Sequence, residues 1–240
     1  MALDLKKIDE RKGIVLNLKK EKGIENQKAQ VALCMDISGS MSSLYRSGYV
    51  QQVIERLVPV ALQFDDNGEL DLYMFSDSCK KHKNNVTLAN LDGFVQNEIM
   101  KNYNFGGTEY APPINLIRKE VENSGKSFLG FGGGSKPKKL KYPIYVIFIT
   151  DGENADKNYA EEAIREASKY GIFFQFVGIG NAAFSFLEKL DNLSGRFIDN
   201  ANFFKVPDLN RMSDADLYSQ LLNEFPSWLT LAKQNNLIEP

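Results

Sequence analysis

The chain has 240 residues, of which 43% are hydrophobic and 25% charged, and its formal net charge is -2. This suits one large globular domain with a sizeable core. The near-neutral balance does not favour general binding to nucleic acid or anionic membranes, which needs an excess of Lys and Arg.

Residues 1–28 are Lys-rich and weakly patterned, and read as an arm packed on the main domain or partly mobile. Within them "GIVLNL" alternates well enough for a short edge strand. From residue 29 the pattern sharpens. "AQVALCMD" has no clean alternation and predicts a strand buried on both faces, with Cys34 as a small hydrophobe inside it. Tyr49 to Phe64 carries apolar residues at helical spacing, with Pro59 expected to kink the helix or leave one backbone acceptor unpaired. "DDNG" marks a turn, "ELDLYMFSD" alternates as a strand, and "CKKHKNNVTL" is its hairpin partner or a loop. "LDGFVQNEIM" predicts a short helix, "NYNFGGTEYAPP" a loop, and "INLIRKEVEN" a further helix.

Residues 124–141, "SGKSFLGFGGGSKPKKLK", read as a flexible Gly/Lys insertion. "YPIYVIFIT" is the strongest strand and the most apolar segment, yet at nine residues it falls well short of the about 20 that a membrane helix needs. The amphipathic "NYAEEAIREASKY", the buried strand "GIFFQFVGIG" and the helix "AAFSFLEKLDNL" follow, then "GRFIDNANFFKV" as a last strand or hairpin. Residues 213–240 close the chain as helix, with Ser213 as candidate N-cap and Pro226 as a break. Strand and helix alternate through most of 29–240. This predicts an α/β chain with a doubly wound, mainly parallel central sheet between two helical layers. Cys34 and Cys79 form no disulfide framework and no CxxC motif, and the polar start lacks a signal-peptide stretch. The expectation is a cytoplasmic protein with no membrane span.

Ligands of such sheets gather beyond the carboxyl ends of the strands, where strand order reverses. Two buried strands end there in acidic motifs, "MDISGS" and "TDGEN". Asp36, Ser38 and Ser40 alternate after the first. Their oxygens can converge on a hard cation, which takes oxygen ligands in near-octahedral geometry and retains some waters. Asp151 after the second strand adds charge, and Thr108 in "NFGGTEY" offers another hydroxyl, with Gly106 and Gly107 permitting close backbone approach. Each piece alone reads equally well as a helix cap or a turn.

Together, "DISGSM", "GGT" and "FITDGE" resemble the metal-ion-dependent adhesion site of von Willebrand factor A domains, also called integrin inserted domains. The resemblance covers roughly residues 29–205. It implies a Rossmann-like fold and a divalent cation, magnesium first, with manganese or calcium as alternatives. The ligands it implies are Asp36, Ser38, Ser40, Thr108 and Asp151, the carboxylates binding directly or through water. It also implies a position left open for an Asp or Glu of a protein partner, in a monomer or one component of a larger complex. "VALCMDISGSM", the "NFGGTEYAPPI" loop, the Gly/Lys insertion and "FQFVGIG" look like the stand-alone domains linked to bacterial tellurium-resistance and stress-response operons. Some of those relatives carry a second, β-rich calcium-binding domain, which is not expected here because only residues 1–28 precede the first core strand.

An enzyme is the alternative. Phosphatases with a parallel sheet use paired Asp residues after the first strand, but Ser38 stands where the second belongs. Glu153 near the site leaves metal-assisted hydrolysis as the competing reading. His82, the single histidine, reads as a solvent-facing loop residue rather than part of a triad. "SGKS" is no P-loop, since Glu120 stands where the first glycine belongs. Lys126, Lys136, Lys138, Lys139 and Lys141 read as a solvated basic loop, with binding of an acidic partner or a nucleic acid as the alternative, and Phe128, Leu129 and Phe131 are apolar residues able to dock on something.

Overall fold

The structure, a computed structural model, describes residues 4–65, 68–124, 139–152 and 154–240. The "DDNG" tip, most of the Gly/Lys insertion with its three apolar residues, and Glu153 lie outside the described residues. Six strands form one sheet: β1 (Gln30–Asp36), β2 (Asp71–Phe75), β3 (Cys79–Lys81), β4 (Ile144–Thr150), β5 (Ile172–Ile179) and β6 (Ala201–Val206). Their order is β3-β2-β1-β4-β5-β6, with β3 antiparallel and the others parallel. The chain steps outward from β1 to β2, then returns to lay β4 on the other side of β1. The reversal therefore falls between β1 and β4, the two strands that end in acidic motifs.

Side-chain parity explains the two hydrophobic layers. Val31, Leu33 and Met35 of β1 and Tyr145, Ile147 and Ile149 of β4 enter one core, and Ala32, Cys34, Val146 and Phe148 enter the other. The first core is covered by α1 (Leu5–Glu21), α3 (Tyr49–Phe64), α7 (Asp214–Leu221) and α8 (Phe225–Gln234). The second is covered by α4 (Ala111–Ser124), α5 (Lys157–Ala167) and α6 (Ser185–Asp191). A short α2 (Ser42–Arg46) follows the "DISGS" turn. All five residues of β2 are buried, so the alternation read in "ELDLYMF" reflects two covered faces rather than one wet face.

Two expectations need correction, and a third takes an unusual form. "GIVLNL" is no edge strand; it is the second half of α1, whose Ile8 and Val15 are buried against the core. "LDGFVQNEIM" does supply its short helix, as a π-helical turn, Val95–Ile99, with Met100 N bonded to Val95 O. His82 is 7% exposed, not solvent-facing: its Nδ1 lies 2.8 Å from Tyr103 Oη and its ring meets Phe94 edge-on. The remaining alternatives settle simply. "GRFIDNANFFKV" supplies the single parallel strand β6, and "CKK" is the hairpin partner β3. Ser213 caps α7 by accepting from Asp216 N at 3.0 Å, and Pro226 sits in the first turn of α8. Pro59 leaves the Glu55 carbonyl without its helical donor, and Arg11 Nη1 supplies one at 3.3 Å.

Candidate functional site

Asp36 is the last residue of β1, and Thr150 the last of β4, on the same face of the sheet. Thr150 Oγ1 donates to Asp36 Oδ2 at 2.6 Å, and Ser38 N donates to Oδ1 at 2.7 Å. Tyr45 Oη holds the Asp36 carbonyl at 2.9 Å. Asp36 is 0% exposed. Burial, opposed by these hydrogen bonds and reinforced by the neighbouring charge of Asp151, raises its carboxyl from the usual 3.8 to about 6. No Lys, Arg or His stands among those causes or hydrogen-bond partners.

From Asp36 the contacts run outward. Ser38 Oγ and Ser40 Oγ are 3.0 Å apart, and Ser40 Oγ donates to Asp151 Oδ1 at 2.8 Å. Ser40 is exposed and Asp151 half-buried, so the series ends at the surface. Burial also raises the Asp151 carboxyl.

Thr108 reaches the same rim by backbone. Gly39 N donates to Gly106 O at 2.9 Å and Gly106 N to Ile37 O at 3.1 Å, a parallel bridge that joins the two loops. Glu109 N then bonds Ser76 O and Ala155 N bonds Thr108 O, which fixes Thr108 between the ends of β2 and β4. Among the described residues, no hydrogen bond joins the Thr108 side chain to the other four predicted site residues. Gly106 is required for this approach: a Cβ there would stand 2.9 Å from Ser76 Oγ, whereas at Gly107 it would meet nothing nearer than 3.8 Å.

The sequence reading missed the residues that hold these loops. Thr150 orients Asp36. Tyr110 Oη lies 3.1 Å from Thr150 Oγ1 and donates to Gly152 O. Asp156 accepts from Tyr110 N and Ala111 N at 2.9 and 2.7 Å and from Asn154 Nδ2 at 2.6 Å, tying the Thr108 loop to the Asp151 loop. The "TDGEN" stretch held a signal for Thr150, since strand parity places it on the Asp36 face. Nothing local distinguishes Asp156 from an ordinary turn aspartate.

The donor set suits a hard cation. Magnesium–oxygen bonds of about 2.1 Å place adjacent ligands about 3.0 Å apart, close to the Ser38–Ser40 and Ser40–Asp151 spacings. Among the described residues no three carboxylate, imidazole or thiolate side chains converge as a metal group. The candidate site relies instead on neutral hydroxyls and two carboxylates.

A family model described as "vWA-TerF-like: vWA found in TerF C terminus" matches residues 28–238. The chain belongs to this family of von Willebrand factor A domains. It is 38% identical over 235 residues to the protein YcbR of Bacillus subtilis (strain 168), covering 96% of this chain and 90% of that one. It is 25% identical over 195 residues to calcium-activated chloride channel regulator 1 of Bos taurus, of whose length it covers 19%. Among solved structures, proximal thread matrix protein 1 from the mussel byssus superposes with a TM-score of 0.55 at 18% identity, over 82% of this chain and 47% of that one. BatB from Bacteroides thetaiotaomicron does so with a TM-score of 0.54 at 17% identity, over 81% and 98%. These structural likenesses establish a shared fold for this von Willebrand factor A domain. Among its described residues no helix is long and apolar enough to cross a membrane.

Proposed function

We propose that the chain is a divalent-cation-dependent protein-binding module, with Asp36, Ser38, Ser40, Thr108 and Asp151 around the cation. Magnesium is the cation this reading favours, because the ligands are hard oxygens and the spacing suits a small ion. The observation that carries the reading is the contact series from buried Asp36 through Ser38 and Ser40 to Asp151. It begins at a carboxylate with no cation among its partners and ends at the surface.

When bound, the cation supplies a positive field only partly neutralised by two carboxylates. The chain's own groups do the rest. Thr150 and Ser38 N keep Asp36 aimed at the rim. The hydroxyls occupy coordination positions without cancelling charge. The Gly106 bridge holds the Thr108 loop against the turn. An Asp or Glu from a partner then gains a charge-assisted contact at a position left open. The proposed working unit is residues 29–240, with the N-terminal arm packed on it through α1. The description of the matched family supports placing it in a bacterial tellurium-resistance or stress-response system, and free Cys34 and Cys79 suit the reducing cytosol.

The test is calorimetric titration with magnesium and manganese, joined to affinity capture with and without chelator. Wild type should bind cation and retain a partner only without chelator, and Asp36→Ala should lose both while staying folded. Unchanged cation and partner binding in Asp151→Ala would remove the site assignment.

A further inference from the structure

Beside the candidate cation rim lies a cleft of about 630 Å³, between the β2–β3 hairpin and the π-helical turn with its following loop. The two share a wall. Ile37, which separates Asp36 from Ser38, lines the cleft, and so does Ser76, against which Gly106 packs. Lys80 and Lys83 line it too, are exposed, and have no carboxylate partner among the described residues. Lys81 lines the cleft as well but is paired, its Nζ 2.9 Å from Asp71 Oδ2. Glu98, the carboxylate among the lining residues, accepts from Asn84 Nδ2 at 3.2 Å.

Buried His82 closes the cleft. Its Nδ1 is held by Tyr103, while its Nε2 has no hydrogen-bond partner, lying 3.4 Å from Glu98 Oε2. The π-helical turn that carries Glu98 is a rare form found often at functional sites. On the other side of Thr108 the charge reverses, since the neighbouring depression holds Glu109 and Asp156 beside a single lysine, Lys119. A peptide that places one carboxylate at the rim therefore meets unpaired ammonium groups on one side and carboxylates on the other. Unpaired like-signed charge beside an interface selects partners of the opposite sign.

We propose that this cleft receives acidic residues flanking the cation-bound carboxylate of a protein partner, so that the recognised feature is an acidic stretch rather than a lone Asp or Glu. This rests on the cation-dependent reading of the rim and names the class of peptide it takes.

The probes are fluorescently labelled synthetic peptides in a Gly/Ser host, one with a single glutamate and others with further glutamates at increasing spacing. They are titrated into the magnesium-loaded full chain. The best multi-glutamate peptide should bind roughly fivefold to tenfold tighter than the single-glutamate one, the scale of two partly exposed ion pairs. That gain should vanish in Lys80→Gln/Lys83→Gln, with single-glutamate and magnesium binding unchanged. A gain that persists in the double variant, or no gain in wild type, would overturn the proposal. So would stronger displacement by inorganic polyphosphate than by unlabelled acidic peptide, lost in the same variant, which would assign the cleft to phosphates. Multi-glutamate binding that survives chelator but disappears in the lysine variant would overturn the cation reading and leave the acidic cleft standing.

Discussion

Asp36 and Asp214 are both carboxylates held by side chains from distant parts of the chain, and they are satisfied in opposite ways. Asp214 opens α7 and sits between two arginines, Arg56 Nε at 2.7 Å and Arg11 Nε at 3.0 Å. Arg56 also donates to the Leu209 and Met212 carbonyls at 2.6 and 2.9 Å. The carboxylate's charge is met inside the protein by two guanidinium groups, and the cluster ties α1, α3 and α7 together. Asp36 has hydroxyls and one backbone N–H but no guanidinium or ammonium. Keeping it ionised at neutral pH costs about 3 kcal/mol, judged from the rise of its carboxyl to about 6. A charge balanced internally belongs to the scaffold. A charge left unbalanced at the end of a central strand points to a cation arriving from outside.

The contrast breaks most sharply at Arg56. Arg56→Ala leaves Asp214 with one arginine and should destabilise the fold by about 3 kcal/mol or more, measured by urea denaturation, with cation affinity unchanged. A loss below about 1 kcal/mol would show that Arg11 suffices. Asp36→Asn should have the opposite sign: without added cation at neutral pH, stability rises by about 1–3 kcal/mol because a desolvated charge is gone, while calorimetric cation binding disappears. If stability falls instead, the hydrogen bonds to Asp36 outweigh its burial.

Titration sharpens the same point. The fold favours protonated Asp36, so its stabilising contribution is full below the ordinary value of 3.8 and is lost as pH climbs through about 6. Cation binding needs the carboxylate, so affinity should fall as pH drops below about 6, by roughly tenfold per unit. The cation-induced rise in Tm should shrink in parallel, and a Tm shift that is flat from neutral to acid pH would contradict this. The smallest effect is expected at Ser40→Ala. Its stability should stay within about 0.5 kcal/mol of wild type, as the residue is exposed, while cation affinity drops about tenfold from one lost ligand, read by the same titration.

Much of this was legible before any coordinates. Alternating strands and helices announced the parallel sheet, and the apolar runs ending at Asp36 and Thr150 located its central pair. The alternation of Asp36, Ser38 and Ser40 was visible because these contacts are local in sequence. Thr150, Tyr110 and Asp156 were not, because their partners come from other strand ends and depend on register. His82 was misread because a lysine-rich neighbourhood looks solvated, yet parity along the hairpin turns its ring inward toward Tyr103 and Phe94. Residues 5–21 carry a weak helical pattern, since Lys and Arg fill most turns, and buried Lys19 and Arg11 serve carbonyls and Asp214 rather than water.

The reversal of strand order between β1 and β4 has a consequence for how the chain is divided. A break anywhere in 125–138 would yield two fragments that are each half of the sheet, β1–β3 and β4–β6, meeting along the six-residue register from Gln30↔Ile144 to Met35↔Ile149. The same cut leaves Asp36, Ser38, Ser40 and Thr108 on one fragment and Asp151 on the other. Reassembly of the halves would therefore rebuild the rim, and the topology makes the domain a natural split reporter of the proposed cation.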